Sequence, residues 1–503
     1  MWQTGWSRYW KGCNEVAVNS EGLKNRALNG TLWKFAERIG AQAVSLVVSI
    51  VLARMLVPDD YSIVGVVAIF FNFSNVIISG GFNAALIQKK ETDELDYSSV
   101  LSLTLLMSLV VYAVLFFCAP VIARIYDKDL LVPVIRVMSL VLFVNSFKSV
   151  LSAKVSRGLN FRKYFFSTLG GTLVSAVVGI VMAYKGFGPW ALVAQQMTNS
   201  CIDTLILTAS CRYRPSFRVS IPRIRALFGF GGRIYLTSII TVIYDEIKPL
   251  IVGIRFTTAD LAYYNKGKSF PWLLNSSITD TLSAVLFPVM SKVQDDKEAV
   301  RNMVRRFMCT VSYVVFPLMV GLFAVADTFV SVVLTDKWLP IVPYIRIFSF
   351  SAMFNIIQVG NLQAIKAIGR SDISLKLEII KKTSYFVVIL LFVLFSDSPV
   401  VLAVSGIVTT VIASLVNAYP NRKLIGYGYR DQVADLLPNL VLSILMGAVV
   451  LLMNNIRING IVLMIMQIIA GVVVYIGLSI VTKNKNLKYL VEIVREKLPG
   501  KAC

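Results

Sequence analysis

The side chains that could do chemistry in this chain are its positive ones. Lys34, Arg38, Arg136, Lys148, Arg233, Lys248, Lys266, Lys268 and Arg346 all stand inside stretches apolar enough to lie in lipid. Charge in such a helix is costly and marks a substrate or ion path, a relay or a paired brace. The acids able to neutralise these cations are fewer, namely Glu37, Asp203, Asp245, Glu246 and Asp280. An excess of buried cation favours a basic cavity for an anion, and Arg suits phosphate because its planar fork binds two oxygens. Lys34, Arg38, Arg233, Lys266, Lys268, Arg136, Lys148 and Arg346 are therefore the substrate-cavity candidates. For each one alone, snorkelling or pairing with a nearby carboxylate is the competing reading.

A second cluster, "IYDEIKPLIVG" at 243–253, mixes both signs. Asp245 and Lys248 are three residues apart, so on a helix they share a face and are expected to pair. Glu246 points elsewhere, and Pro249 supplies a bend. The cluster sums to a net negative charge and would grip phosphate poorly. Asp245, Glu246, Lys248 and Pro249 are thus candidates for a gate or ion-coupling device, with a structural ion pair as the alternative. The chain has no His, which removes His-ligated metals and every Ser–His or Cys–His arrangement. Its 6 Cys form no C-x-x-C pair and several lie in apolar runs. No cofactor and no metal is expected, and coupling to H+, Na+ or the membrane potential stays open.

The elements that position these residues are membrane helices. Of the 503 residues 56% are hydrophobic and only 16% charged, where a soluble chain carries about 25% charged residues. Runs such as Tyr97–Ala123, Tyr164–Tyr184 and Ile458–Thr482 hold no Asp, Glu, Lys or Arg, and roughly 20 such residues cross the hydrocarbon core. Apolar windows fall at about 29–53, 62–87, 98–123, 130–152, 164–184, 188–211 and 226–253. They continue at about 260–290, 304–326, 341–365, 374–395, 399–420, 434–453 and 459–482. This is an all-α polytopic membrane protein of about 14 transmembrane helices.

With the N-terminus inside, most of the 50 Lys and Arg fall in cytoplasmic tails and loops. The opposite loops hold only Arg54, Arg124, Lys128, Lys185, Arg255, Lys337 and Arg457. That asymmetry sets both termini in the cytoplasm and accounts for most of the +22 charge without nucleic acid. Met1–Asn19 lacks the apolar core of a secretory signal, and its Trp2, Trp6 and Trp10 could form an interfacial turn or belong to a loose tail.

The windows repeat. "FAERIG" (35–40) opens the first span and "FGGRIY" (230–235) the seventh, and "PDDYSIVG" (58–65) then matches "TADLAYYN" (258–265). Six helices lie between, so both halves enter the membrane the same way and form parallel repeats with a substrate path between them. The expected organisation is a cytoplasmic tail (1–27), an N-lobe of helices 1–6 (28–211), a basic linker (212–225) and a C-lobe of helices 7–12 (226–422). Helices 13–14 (433–482) and a cytoplasmic amphipathic tail (483–503) complete it. The linker, with five arginines from Arg212 to Arg225, could hold anionic headgroups or simply enforce topology. In the tail, Leu487, Leu490, Val491, Val494 and Leu498 share one helical face, as in a helix lying on a surface.

Several motifs, in order along the chain, resemble the polysaccharide transport family of flippases, the Wzx-like branch of the multidrug/oligosaccharidyl-lipid/polysaccharide exporter superfamily. They are "LARMLVPDDYSIVG" (52–65), "SRGLNFRKYF" (156–165), "GFGPWALV" (186–193), "LAYYNKGK" (261–268), "LFPVMSKVQ" (286–294), "DKWLP" (336–340) and "KAIGRSD" (366–372). The resemblance implies two pseudo-symmetric six-helix lobes plus two trailing helices in the bacterial inner membrane. It further implies reorientation of undecaprenyl-pyrophosphate-linked oligosaccharide repeat units for O-antigen, capsule or exopolysaccharide assembly, by alternating access. Membrane lipids, a polysaccharide polymerase and chain-length or export machinery are the implied partners. Relatives resemble a pattern with Asn or Asp before "LIG", where Glu246 and Lys248 stand here, which puts a family cation site in doubt.

Three other classes compete. A peptidoglycan-precursor flippase is chemically close. A cation-coupled multidrug exporter would favour acids and aromatics in its cavity, against the excess of Lys and Arg. A membrane glycosyltransferase or polymerase would need a general base and commonly a metal or a large outward loop. The longest outward loop, about 327–344, offers only Asp327, Thr335, Asp336 and Lys337.

Overall fold

The structure is a computed structural model. It describes residues 33, 37, 40–79, 81–89, 92–158, 160–211, 218–291, 293–456 and 458–497, with the backbone alone at some helical positions, Arg233 and Asp280 among them. Every regular element among these residues is helical. The first half runs α1 (Gly40–Met55), α2 (Pro58–Ser79), α3 (Phe82–Gln88), α4 (Glu94–Ile125), α5 (Leu131–Met138), α6 (Val141–Arg157), α7 (Arg162–Tyr184) and α8 (Pro189–Cys211). It continues with α9 (Ile221–Arg255), α10 (Thr258–Ser291), α11 (Lys297–Phe329), α12 (Val342–Ala367), α13 (Ser371–Phe395) and α14 (Pro399–Ala418). A short α15 (Asn421–Leu424) leads to α16 (Tyr429–Leu452), α17 (Gly460–Val481) and α18 (Lys485–Lys497).

The described part of each expected window is largely helical, and among the described residues 9 helices are long and apolar enough to cross a membrane. The chain is a multi-pass membrane protein. Two windows differ in detail. The second is interrupted after Ser79 and resumes at Phe82, and the fourth bends at Ser139–Leu140 between α5 and α6. The expected outward loop at 327–344 is also helical. Val330–Leu334 continues α11 as a π-helical turn and Asp336–Ile341 forms a 3-10 turn, Thr335 between them having φ +91°.

Packing divides the chain into two compact units, Met1–Leu56 with Ile63–Glu246, and Val57–Ser62 with Ile247–Cys503. Within the first, Tyr97, Leu101, Val150, Leu151, Tyr164 and Leu207 form a buried cluster. Within the second, Val304, Met308, Val311, Phe316, Met353 and Ile356 do so. Lipid tails are as apolar as Leu, so helices in a membrane gain by close approach at small residues rather than by escape from water. At Gly267 of α10 a Cβ would stand 2.5 Å from Tyr344 Cβ, and at Gly447 of α16 one would stand 2.5 Å from Val320 Cγ1.

Two carbonyls freed by helix prolines, and the end of one short helix, receive donors from other helices, which suits a medium poor in water. Pro120 lacks the N–H that would bond the Phe116 carbonyl, and Arg136 Nε donates to that oxygen at 3.4 Å. Pro317 frees the Tyr313 carbonyl in the same way, and Tyr475 of α17 donates its hydroxyl there at 2.9 Å. Arg157 donates to the closing carbonyls of α3, Leu86 at 2.9 Å and Ile87 at 3.1 Å, and to Lys89 beyond them. At the start of α4, Asp93 and Asp96 form a reciprocal capping box. Fully buried Asp96 also receives Lys89 at 2.6 Å and Arg223 at 3.2 Å.

Candidate functional site

The repeat anticipated at 58–65 and 258–265 has one local geometry. Asp60 accepts the Val57 N–H at 3.0 Å and opens α2, while Asp260 accepts the Thr257 N–H at 3.1 Å and opens α10. Of the upstream pair of motifs, Lys34 and Arg38 lie outside the described residues, and Arg233 stands on α9 with its side chain outside them too.

In the first unit, Lys148 of α6 is 37% exposed and bonds Asp203 of α8 at 2.6 Å, Asp203 being 2% exposed. A buried carboxylate therefore holds a half-open ammonium in place. The other carboxylate oxygen of Asp203 has no hydrogen-bond partner among the described residues. The Arg136 guanidinium of α5 stands over the Phe116 ring, 4.0 Å from its centroid, with Nε on the Phe116 carbonyl. Its two Nη nitrogens carry no protein partner among the described residues, so the fork remains open.

In the second unit, Arg346 of α12 repeats this placement and then departs from it. Its Nε donates to Phe323 O at 3.4 Å and its guanidinium lies 5.5 Å from the Phe323 centroid, but Nη2 is bound to Asp327. Lys266 is buried among aromatic faces, with Nζ 4.9 Å from the Tyr61 centroid, 5.8 Å from Phe270 and 5.9 Å from Trp338. Lys268, two residues on, is half-buried. An ammonium over an aromatic face is attracted by the ring quadrupole.

The "DEIKP" cluster separates. Asp245 is exposed whereas Lys248 is 4% exposed, its ammonium 4.7 Å from the Tyr385 centroid. The expected Asp245–Lys248 pair is thus replaced by an aromatic contact, because Lys248 turns into the packed side of α9. Glu246, for which the sequence named no partner, accepts from Asn72 Nδ2 at 2.8 Å. Pro249 leaves α9 continuous from Ile221 to Arg255.

The family's sequence profile, described as polysaccharide biosynthesis protein, matches residues 51–343. The chain belongs to the polysaccharide biosynthesis protein family. Among its relatives, lipopolysaccharide biosynthesis protein WzxC of Escherichia coli is 26% identical over 451 residues, 85% of this chain and 89% of that one. Succinoglycan biosynthesis transport protein ExoT of Rhizobium meliloti is 24% identical over 306 residues, 61% of this chain and 62% of that one. Among solved structures, the lipid II flippase MurJ in an inward closed conformation superposes with a TM-score of 0.73 at 15% identity, covering 91% of this chain and 99% of that one. The polysaccharide biosynthesis protein thus has a polytopic transporter fold.

Sequence reasoning missed one internal match of this family member, V-P-x-I-R-x-x-S at Val132–Ser139 and again at Val342–Ser349. It carries the paired arginines Arg136 and Arg346, and it follows a "DK" dipeptide in both halves (127–128 and 336–337), one residue further on in the second, so a search that allows a one-residue gap would have found it.

Proposed function

We propose that this protein is a flippase that moves undecaprenyl-pyrophosphate-linked oligosaccharide units across the bacterial inner membrane for O-antigen, capsule or exopolysaccharide assembly. The observation that carries the reading is membership of the polysaccharide biosynthesis family over most of both repeats, residues 51–343. The site chemistry supports it. A diphosphate crossing a low-dielectric region needs cations, and Lys148 and Arg136 each present donors that the protein leaves partly uncovered. The sugars require hydration, and the prenyl chain can stay in lipid while the headgroup crosses. Lys268 and Arg233 complete the proposed cation set, with both chain termini in the cytoplasm.

Transport rather than glycosyl transfer accords with the names of its relatives, one a succinoglycan transport protein. Within this reading Asp245 and Glu246 answer to H+ or Na+, and the polymerase and export machinery receive the product. Deleting the gene should make one lipid-linked oligosaccharide accumulate on the cytoplasmic side, identified by mass spectrometry. Purified protein in vesicles should then expose that same lipid to an external glycosidase. Accumulation of the peptidoglycan precursor instead would reassign the substrate, and elongated glycan made by the purified protein would reassign the activity to polymerisation.

A further inference from the structure

The last two membrane helices end in a cationic surface that the transport site does not use. α18 does not lie free. Asn484 and Asn486 donate side-chain N–H groups to Asn439 of α16 at 3.1 and 3.2 Å. Leu487 packs against Tyr313, Leu442, Met446 and Tyr475, and Arg306 of α11 covers the Tyr489 ring at 3.8 Å. With the helix docked in this way Lys485 and Lys488 of α18 are exposed, as is Lys483 in the turn before it.

Further cations come to the same end of this unit. Arg301 stands by the 424–429 turn, its Nη1 3.8 Å from where a Cβ on Gly426 would sit, and Arg422 lies against Gly428 of that turn. Lys423 and Arg430 flank it, both exposed. None of these residues, nor any of the three lysines, pairs with a carboxylate among the described residues. The nearby aspartates are already committed. Asp435 takes Arg305 at 2.6 Å and the Tyr427 hydroxyl at 2.9 Å, and Asp431 caps the Gly428 N–H at 2.9 Å.

Position decides what such a surface meets. Ile480 and Val481, 61% and 79% exposed, directly precede Lys483, while Val433 and Leu437, 60% and 49% exposed, follow Arg430 by one and two turns. Apolar side chains that face outward on membrane helices face lipid tails. Cations within one or two turns of them, at 1.5 Å rise per residue, stand at headgroup level rather than far out in water. A soluble acidic partner would need no such rim.

We propose that α18 and the ends of α11 and α16 form a binding surface for anionic phospholipid headgroups of the cytoplasmic leaflet, anchoring the trailing helix pair. It rests on the orientation assigned under the proposed function, but its test reads lipid binding and not transport.

Purified full-length protein in detergent is titrated with phosphatidylglycerol or phosphatidylcholine and bound lipid is counted by native mass spectrometry. Juxtamembrane Lys or Arg gains about fivefold in affinity per charge at an anionic surface. The wild type should prefer phosphatidylglycerol, and K483Q, K485Q and K488Q should each lower that preference by up to about fivefold. Raised salt should weaken it in the wild type, since exposed charges are screened, which keeps the test decisive if a variant folds poorly. Equal binding of both lipids by the wild type overturns the proposal, as does an unchanged preference in well-folded variants. Binding of soluble polyglutamate in place of phosphatidylglycerol would assign the surface to a protein and also overturn it.

Discussion

At the scale of single residues, the transport reading turns on separating cations that hold the fold from cations that can leave it. Arg136 holds the Phe116 carbonyl and, in the proposed transport role, also meets the headgroup, and Pro120 allows the two to be separated. R136A removes the donor to the Phe116 carbonyl and should cost about 1 kcal/mol of stability. Adding P120A restores a backbone N–H to that carbonyl. The double variant should recover the melting temperature of the wild type yet still transport about tenfold less or worse, since a charge-assisted hydrogen bond is worth about 1.5–3 kcal/mol. Full recovery of transport would make Arg136 a brace alone. The Lys148–Asp203 pair allows a similar separation. K148M strands a buried carboxylate, costing about 3 kcal/mol, the lower end of the range because Lys148 is itself half-exposed. K148M/D203N removes both charges and should regain most of that stability, the coupling being read from the cycle, without regaining transport. The site was only half legible in the sequence. The excess of cations over acids is visible in the residue types, but which fork stays open depends on a partner distant along the chain. Arg136 and Arg346 sit in the same motif and differ only because Asp327 lies beside one of them.

At the scale of elements, helix existence was readable because a lipid-spanning helix needs a long apolar run and this chain supplies them with little interruption. The irregular places were less readable, since a hydropathy window registers neither the Gly80–Gly81 pair at the break after Ser79 nor the π-helical turn at Val330–Leu334. One irregularity was readable in principle. A proline at position i frees the carbonyl at i−4, so Pro317 specifies that something must reach Tyr313, though not that it is Tyr475. Y475F should therefore cost about 1 kcal/mol, and P317A should largely rescue it by returning a backbone donor. Thermal melts of the two singles and the double give the coupling, and strict additivity would mean that the hydroxyl serves another purpose. The start of α13 gives a pH-dependent counterpart outside the membrane. Arg370 grips Asp372 through two 2.9 Å bonds, and that hydrogen bonding to the guanidinium lowers the carboxyl to about 2. A depressed acid contributes stability above its unfolded value near 3.9 and loses it as pH falls toward the folded value. The charge-dependent part of the stability difference between wild type and D372N should thus be constant above about pH 5 and vanish only by about pH 1. Because both side chains are open to water, salt should reduce it throughout.

At the scale of the whole molecule, the remaining question is what drives a lipid-linked headgroup one way across the membrane. A carrier with parallel repeats can equilibrate its cargo unaided, so direction needs either consumption of the product or an ion that binds differently in two states. Lys248 is fixed against Tyr385 in the packed side of α9, and Asp245 and Glu246 are the acids of that cluster. Glu246 already holds Asn72 at 2.8 Å, a contact that a glutamine can keep while losing the charge. E246Q therefore removes an ionisable group with little change of shape. If Glu246 exchanges an H+ or Na+ during each cycle, vesicles carrying E246Q should flip lipid at a rate independent of the imposed pH or Na+ gradient, while still equilibrating the substrate. If it is a brace, the variant should keep the gradient dependence of the wild type and differ only in stability. The distinguishing measurement is the ratio of rates with and without a gradient, because that ratio cancels any loss of folded protein. We expect the ratio to fall to about one for E246Q and to stay at the wild-type value for the control D372N, whose carboxylate lies in the first turn of α13, ahead of the apolar stretch that begins at about 374.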